Sequence, residues 1–418
     1  MSLWCYFVVT TQQNNMSKST HFFGQSVFGQ LIRLIDQSIV SRSVRKTKSD
    51  RYIKRFKTWD HLVSMLFVSF SGCTSLREVS GALLGMKGKV SHFQLSHLPY
   101  RSTLSDANKR RPSDVFGMIY YGLLNKYQGL LSDSRSNGFK IANMHIIDST
   151  SIGLFKDFLQ CVGRKNAFGR QKGGIKVHTM INANEPIPQL IHFTDSTHND
   201  QRFYSQIKFI PGHLYVFDKG YNNYDMFEYF NFNDINFVTR LKDNAAYELM
   251  TEFEIPAVDA SAVLKDQIIE LPVRKNGWVV NSVTARIVTY WDKVTNKTYV
   301  FLTNLIEVEA RNIAEIYKQR WQIESLFKQL KQNFPLKYFL GDNQNAVIIQ
   351  IWSALIANLL LTVVRKSLKK NWAFSNICSF IKVNLINYID LFSFLEDPEK
   401  DWLKNNNSSQ TSLNFLSG

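Results

Sequence analysis

Tyr317, Arg320, Glu324 and Lys331 stand in one short stretch, YKQRWQIESLFKQLK, residues 317–331, and bring together an acid, two cations and a phenol. On a helix advancing 100° per residue the four fall within an arc of about 60°. Ile316, Ile323, Leu326, Phe327 and Leu330 occupy the neighbouring arc. The pattern predicts an amphipathic helix with its apolar face on a core and its polar edge at the rim. Glu315, the nearest rival carboxylate, points to the other side. An i,i+4 ion pair between Glu324 and Lys328 would be ordinary surface chemistry, but it leaves Tyr317, Arg320 and Lys331 without a purpose. Phosphodiester chemistry uses all four: the carboxylate holds a divalent metal, the cations neutralise phosphate oxygens, and the phenol donates to a phosphate.

A hard divalent cation such as Mg2+ needs more than one oxygen ligand, held rigidly. Asp148 closes the apolar run MHIID and Asp218 closes LYVFD, each at the expected C-terminal end of a strand, where side chains reach the rim of an open sheet. Either aspartate alone reads as a turn residue. Joined by Glu324 they form a three-carboxylate set for two metals about 4 Å apart, one serving the attacking oxygen and one the leaving oxygen. Asp195, after LIHFT, and Asp200, an expected helix N-cap in THNDQRFYSQI, are rivals for the second place. Asp218 ranks above them because Gly220 allows a sharp exit and its strand is the more apolar. His145, His178, His192 and His198 lack an HExxH motif or a cysteine partner and read as structural.

The spacing Y-x2-R-x3-E-x6-K is the signature of a large family of bacterial insertion-sequence transposases, the YREK class of DDE transposases, and YKQRWQIESLFKQLKQN resembles that family along the whole helix. HIIDSTSI and VFDKGYNN are similar to the blocks that hold its first and second aspartates. HFFGQSVFGQLI and YRSTLSDANKRRP look like an N-terminal domain of one branch. The resemblance implies an α/β fold: a ribonuclease H-like mixed sheet with flanking helices, a β-rich insertion before the third carboxylate, and an N-terminal helical DNA-binding domain. Carried over by position, Asp148, Asp218 and Glu324 would be catalytic and bind two Mg2+ ions, with Mn2+ a possible substitute. Tyr317, Arg320 and Lys331 would contact DNA phosphates near the cleaved end. The implied reaction is hydrolysis at a transposon end and strand transfer into target DNA, commonly through a hairpin that is reopened. Trp278, Trp291 and Trp321 are candidates to stack a flipped base in that step. The implied partner is double-stranded DNA, both inverted-repeat ends and target, gripped by a homodimer in a synaptic complex.

Those residues need elements to position them. The chain has 418 residues, 44% of them hydrophobic, enough for a large core divided among two or three domains. Lys and Arg outnumber Asp and Glu by 50 to 34, a formal charge of +16 with a pI near 9.5, which points to a polyanionic partner. Four scattered cysteines without a CxxC pair suit a reducing cytoplasm and suggest neither a disulfide framework nor a zinc ribbon. Residues 1–15 lack the flanks of a signal peptide and read as an upstream extension without fixed structure, with Met16 an alternative start. Residues 16–125 read as the helical DNA-binding domain, 138–244 and 306–370 as two parts of the catalytic core, and 245–305 as the β insertion. Residues 371–418 read as a helical end followed by a polar tail.

Three stretches invite a further DNA reading. TSLREVSGALLG and RSTLSDANKRRP, the second opened by a capping box of Thr103 and Asp106, resemble a helix-turn-helix that would offer Ser105, Asn108, Lys109 and Arg110 to a groove. The loop GRKNAFGRQKGGIK places Arg164, Lys165, Arg170, Lys172 and Lys176 after the first aspartate, suited to clamping a DNA backbone. RSVRKTKSDRYIKRFK gathers cations from Arg42 to Lys57 and reads equally as a solvated face or a phosphate-binding stretch. AVIIQIWSALIANLLLTVV, residues 346–364, is long enough to span a bilayer, but Gln350, Ser353 and Asn358 interrupt it, and burial in a core is the preferred reading, with no membrane partner. Two competing functions remain open on these residues: a nuclease without strand transfer, and a sequence-specific DNA-binding protein with a relic core.

Overall fold

The computed structural model describes residues 24–132, 143–153, 174–256 and 262–399. One nine-stranded sheet is its frame. The apolar runs MHII and LYVF form the two central strands, β1 (Met144–Gly153) and β4 (Leu214–Phe217), which run parallel with Ile147 opposite Phe217. β2 (Gly174–Asn182) and β3 (Glu185–Asp195) extend the sheet antiparallel on one side of β1, and β5 (Asn236–Arg240) lies parallel to β4 on the other. The order β3-β2-β1-β4-β5 with these directions is the ribonuclease H-like arrangement.

The β insertion continues this sheet instead of forming a body of its own. β6 (Glu248–Glu252), β7 (Val263–Lys275), β8 (Trp278–Asp292) and β9 (Lys297–Thr303) attach through β9, whose Thr303 lies opposite Val238 of β5. The order therefore runs on as β5-β9-β8-β7-β6. Asn276 and Gly277, with φ of 50° and 86°, close the β7–β8 hairpin in the left-handed region that an Asn-Gly turn favours.

Successive side chains point to opposite faces, so the sheet sorts its apolar residues into two cores. Ile147, Tyr215, Phe217, Ile287 and Leu302 face one, an aromatic layer covered by α7 (Tyr224–Phe232), whose Phe227 stacks on Phe237 with centroids 4.4 Å apart. Ile146, Val216, Val288 and Phe301 face the other. Helices from both ends of the chain cover this second face. Before the sheet come α1 (Val27–Arg33), α2 (Gln37–Thr47), α3 (Thr58–Ser71), α4 (Leu76–Gly85), α5 (Arg101–Arg110) and α6 (Asp114–Leu131). After it come α8 (Ala310–Lys318), α9 (Trp321–Asn333), α10 (Gln344–Ser367), α11 (Phe374–Asn384) and α12 (Leu391–Glu396).

α10 is the apolar stretch whose length would suffice for a membrane, and 89% of its most apolar window is buried within the protein. The three polar residues that interrupt it are paired: Gln350 Nε2 donates to the carbonyls of Pro335 and Tyr338, Ser353 donates to Ile349, and Asn358 Oδ1 accepts from Gln329. α3, α5 and α6 pack on it, so the N-terminal helices share one continuous core with α10 and with the sheet.

The run SVFGQLIRLIDQSIV folds as two helices, because Asp36 caps α2 by accepting from Ser38 N–H at 2.8 Å. Three local expectations are revised. The Thr103–Asp106 capping box does not form: α5 starts at Arg101, and Asp106 pairs with Arg110 at 2.8 Å. α4 and α5 are separated by residues 86–100, with a 3-10 segment at Lys87–Phe93, far more than the tight turn of a helix-turn-helix. The helix over residues 317–331 breaks at Gln319 and Arg320, where successive N–H groups bond three residues back instead of four. That tightened turn changes the angular phase used on the wheel.

Candidate active site

Strand register sets the two aspartates side by side. Ile147 lies opposite Phe217, so Asp148 and Asp218 follow at the point where β4 ends, on neighbours roughly 4.8 Å apart. Asp218 is the first residue off β4, as its sequence context suggests. Asp148 is not a strand end: β1 continues to Gly153 along β2, with Asp148 opposite Thr179, because β2 still supplies backbone partners after β4 has stopped.

The tightened turn between α8 and α9 brings the signature residues to this rim. Arg320 Nη1 donates to Asp148 Oδ2 at 2.9 Å and Nη2 to Glu324 Oε1 at 2.6 Å. Tyr317 donates its hydroxyl to Asp218 Oδ1 at 3.3 Å, and Lys331 Nζ donates to Thr150 Oγ1 at 2.7 Å and to the Ser151 carbonyl at 3.3 Å. Glu324 thus pairs back to Arg320 and not forward to Lys328. The structure brings Tyr317, Arg320 and both aspartates into one hydrogen-bonded cluster with Glu324, and seats Lys331 a few residues further along β1.

Two further residues join this cluster: Arg240, which the sequence did not single out, and Asp200, ranked there below Asp218. Arg240 closes β5 and donates from Nη2 to Asp218 Oδ1 at 2.8 Å, with its guanidinium 5.8 Å from the Tyr317 ring centre. Its signal was available in NFVTR, a polar residue ending an apolar strand just as Asp218 follows LYVF. Asp200 is not a helix cap, a role Asn199 takes by accepting from Gln201 N–H at 3.3 Å. The Asp200 carboxylate turns inward and accepts from Ser149 Oγ at 2.9 Å and Lys176 Nζ at 3.0 Å. A Cβ on Gly220 would stand 3.2 Å from Asp200 Oδ2 and 4.0 Å from Asp218 Oδ2. Gly220 therefore matters through its missing side chain, over which two carboxylates approach.

Burial pushes the Asp148 carboxyl up to about 6; the Arg320 charge and the Ser149 amide oppose that rise, while the charges of Asp218 and Glu324 add to it. Burial acts on Asp218 in the same sense, but the hydrogen bond and charge of Arg240, helped by Arg320, hold it below the usual carboxylate range. Burial pushes the Tyr317 phenol up to about 12, further into the protonated, donating form it already has at neutral pH. Against its own burial, Arg320 is held more firmly protonated than usual by Tyr317, Asp148 and Glu324.

Oxygen donors from three carboxylates are the set a hard divalent cation takes. The raised Asp148 marks a buried carboxyl, with two further carboxylates adding to the rise, whose charge a nearby cation stabilises. In this arrangement that cation is the Arg320 guanidinium, lodged between Asp148 and Glu324. Among the described residues no three His, Cys, Asp or Glu side chains lie close enough together to hold a metal. Arg320 Nε is buried without a partner, so only one edge of the guanidinium is satisfied by the carboxylates. The donors fit a metal in kind, in a geometry closed on arginine.

The other expected contacts separate. Asn108 is buried and cannot reach a groove: its Oδ1 lies 2.7 Å from His61 Nε2 and its carbonyl accepts from Asn345. Lys109 and Arg110 are exposed, the latter paired with Asp106. Arg164, Lys165, Arg170 and Lys172 lie outside the described residues, and Lys176 is buried on Asp200. Trp278 is exposed at the β7–β8 turn, and Trp291 donates to Asn296 Oδ1 at 3.3 Å. Trp321, 59% exposed, lines a cavity of about 490 Å3 with Tyr290, Tyr299, Phe301, Tyr317 and Arg320. His145 stacks on His213, and His178 bonds Tyr221 and Thr194.

A family model described as a transposase DDE domain matches residues 144–360, and one described as a domain of unknown function matches residues 23–94. The chain is 33% identical over 282 residues to the putative transposase y4zB of Sinorhizobium fredii, covering 67% of this chain and 76% of that one. It is 28% identical over 280 residues to a putative transposase for insertion sequence element IS4SA from Synechocystis, covering 63% of this chain and 71% of that one. A solved piggyBac transposase synaptic complex with hairpin DNA is a distant likeness, with a TM-score of 0.42, 11% identity, and coverage of 95% of this chain and 86% of that one.

Proposed function

We propose, for a chain that belongs to the DDE-domain family of transposases, that Asp148, Asp218 and Glu324 carry the cleavage of transposon ends and the joining of those ends to target DNA. The protein is a DNA transposase, an enzyme of DNA cleavage and strand transfer that acts on DNA and depends on a divalent metal. The reading of its site rests on one observation: β1 and β4 set Asp148 beside Asp218 in register, and Arg320, 172 residues along the chain from Asp148, ties it to Glu324.

We assign two Mg2+ ions to the three carboxylates; bound there, they would supply the charge that activates the attacking oxygen and stabilises the leaving one. Tyr317, a phenol that is protonated at neutral pH, donates to a phosphate oxygen. Arg320 exchanges its carboxylate partners for phosphate oxygens when DNA enters, which its bidentate fork suits. Lys331 holds the strand further along β1. The aromatic cavity beside Tyr317 has room for an unstacked base against Trp321, which favours a cut-and-paste route through a hairpin. Two ends must be joined, so the working form is a homodimer in a synaptic complex. The Tyr-Arg-Glu-Lys spacing of residues 317–331 supports assigning the protein to the YREK class.

The test uses the duplex that borders the gene. Glu324→Gln should bind it with unchanged affinity and fail to nick it in Mg2+, by more than about 1,000-fold, the loss usual for an essential catalytic group. Nicking at the wild-type rate would exclude Glu324. Trp321→Ala should leave the first nick within about threefold and reduce hairpin product at least tenfold, roughly the 1–3 kcal/mol worth of one stacked base. Equal loss of both products would remove the base-stacking role.

A further inference from the structure

We propose that the connector between α2 and α3, residues 48–57, together with the outer face of α2, is a clamp for the phosphate backbone of duplex DNA. The proposal rests on the transposase reading for the identity of the polyanion. Between residues 42 and 57 eight Lys and Arg stand against Asp50 alone, +7 of the chain's +16. A merely solvated cationic face is usually interleaved with acids at helical spacing. Here the single acid is turned inward: Asp50 Oδ1 accepts from the N–H and the hydroxyl of Thr58, both at 2.7 Å, and lies 3.6 Å from the Arg111 guanidinium. Arg42, Arg45, Lys46, Arg51, Lys54 and Arg55 are all exposed, and among the described residues none of them makes an ion pair.

The connector also carries an aromatic ring that nothing in the fold requires outside. Tyr52 is 86% exposed and holds a left-handed φ of 62°. Arg51 lies 4.8 Å from its ring centre and donates to its hydroxyl at 2.8 Å. A strained, outward aromatic among unpaired cations offers a flat face beside a phosphate track. The root of the connector is rigid by contrast. Phe56 is buried, its carbonyl accepts from Arg111 at 2.8 Å, and Ser49 bonds Thr58 at 2.9 Å. Asn345, at the head of α10, donates to the carbonyls of Asn108 and Arg111. Because α10 packs along α9, the clamp is braced to the helix that bears Glu324. α5, with Asn108 buried and Arg110 paired, has less to offer DNA.

The measurement is fluorescence anisotropy with a labelled 30-base-pair duplex of arbitrary sequence, read as log Kd against log salt. Arg51→Ala/Lys54→Ala/Arg55→Ala should make the slope shallower by about 2.7, three contacts at roughly 0.9 each, and raise Kd at least tenfold near 150 mM salt. Arg51→Lys/Arg55→Lys should keep the wild-type slope, and Tyr52→Ala should raise Kd about threefold or more with the slope unchanged. A wild-type slope in the triple variant, with an unaltered melting curve, overturns the clamp. If the triple variant does not fold, the Tyr52→Ala result decides. Tighter binding of the wild type to phosphatidylglycerol vesicles than to duplex overturns DNA as the occupant. Failure of the wild type to bind any duplex would instead sink the transposase reading, whereas Glu324→Gln should keep the full slope whichever way the connector behaves.

Discussion

Asp148 serves two opposed requirements. Its charge is what the reaction needs, and burial, with the charges of Asp218 and Glu324 adding to it, raises its pKa to about 6. An unfolded aspartate titrates near 3.9, so between about 4 and 6 the folded chain holds a proton that the unfolded chain has released. Stability contributed by this group therefore falls as pH rises through that window. Asp148→Asn removes the charge and should stabilise the metal-free protein at pH 8 by up to about 3 kcal/mol, two pKa units at 1.36 each, with the gain shrinking toward pH 4. Thermal melts at the two pH values check it. A lower Tm for the variant at pH 8 would mean that the lost Arg320 pairing outweighs the relieved burial. Asp218 behaves oppositely: with its pKa lowered by Arg240, it contributes stability above the unfolded pKa that is lost as pH falls. Both carboxylates sit at the rim where β4 ends; deeper burial raises Asp148 despite Arg320, while Arg240 and Arg320 together outweigh the burial of Asp218.

At the scale of elements, two contacts position the chemistry. One is the tightened turn at Gln319 and Arg320, which lets Tyr317 reach Asp218 while Arg320 reaches Asp148. The other is the packing of α6 on α10, behind the sheet. A Cβ on Gly117 of α6 would meet the Trp352 indole at 2.9 Å, and that ring is hemmed in by Tyr120, Tyr121 and Phe193. Alanine would gain about 1 kcal/mol of helix propensity. Overpacking against a ring that cannot move costs about 1–3 kcal/mol. Gly117→Ala should therefore lower stability, seen as a lower denaturant midpoint with the slope unchanged. A higher midpoint would show that Trp352 has room to shift.

At the scale of the whole molecule, the N-terminal helices and the catalytic sheet are joined through α10, which is apolar on nearly all sides because neighbours surround it. Removing residues 1–137 would strip α3, α5 and α6 from α10 and leave a large apolar surface in water. That truncation should aggregate; a soluble fragment with a cooperative melt would show that the sheet and its own helices suffice. The sequence by itself determined the strands, the apolar α10 and the Tyr-Arg-Glu-Lys spacing, because periodicity and residue type are local properties. It also marked Asp148 and Asp218 as ends of apolar runs. Tertiary structure decided what those residues meet. Asp218 meets Arg240 and Tyr317 and Asp200 turns inward, while β9 joins β5 and Asn108 disappears into the interface with α10. None of this is carried by a local pattern, because partners 22 to 237 positions apart are chosen by strand register and by which helix covers which face.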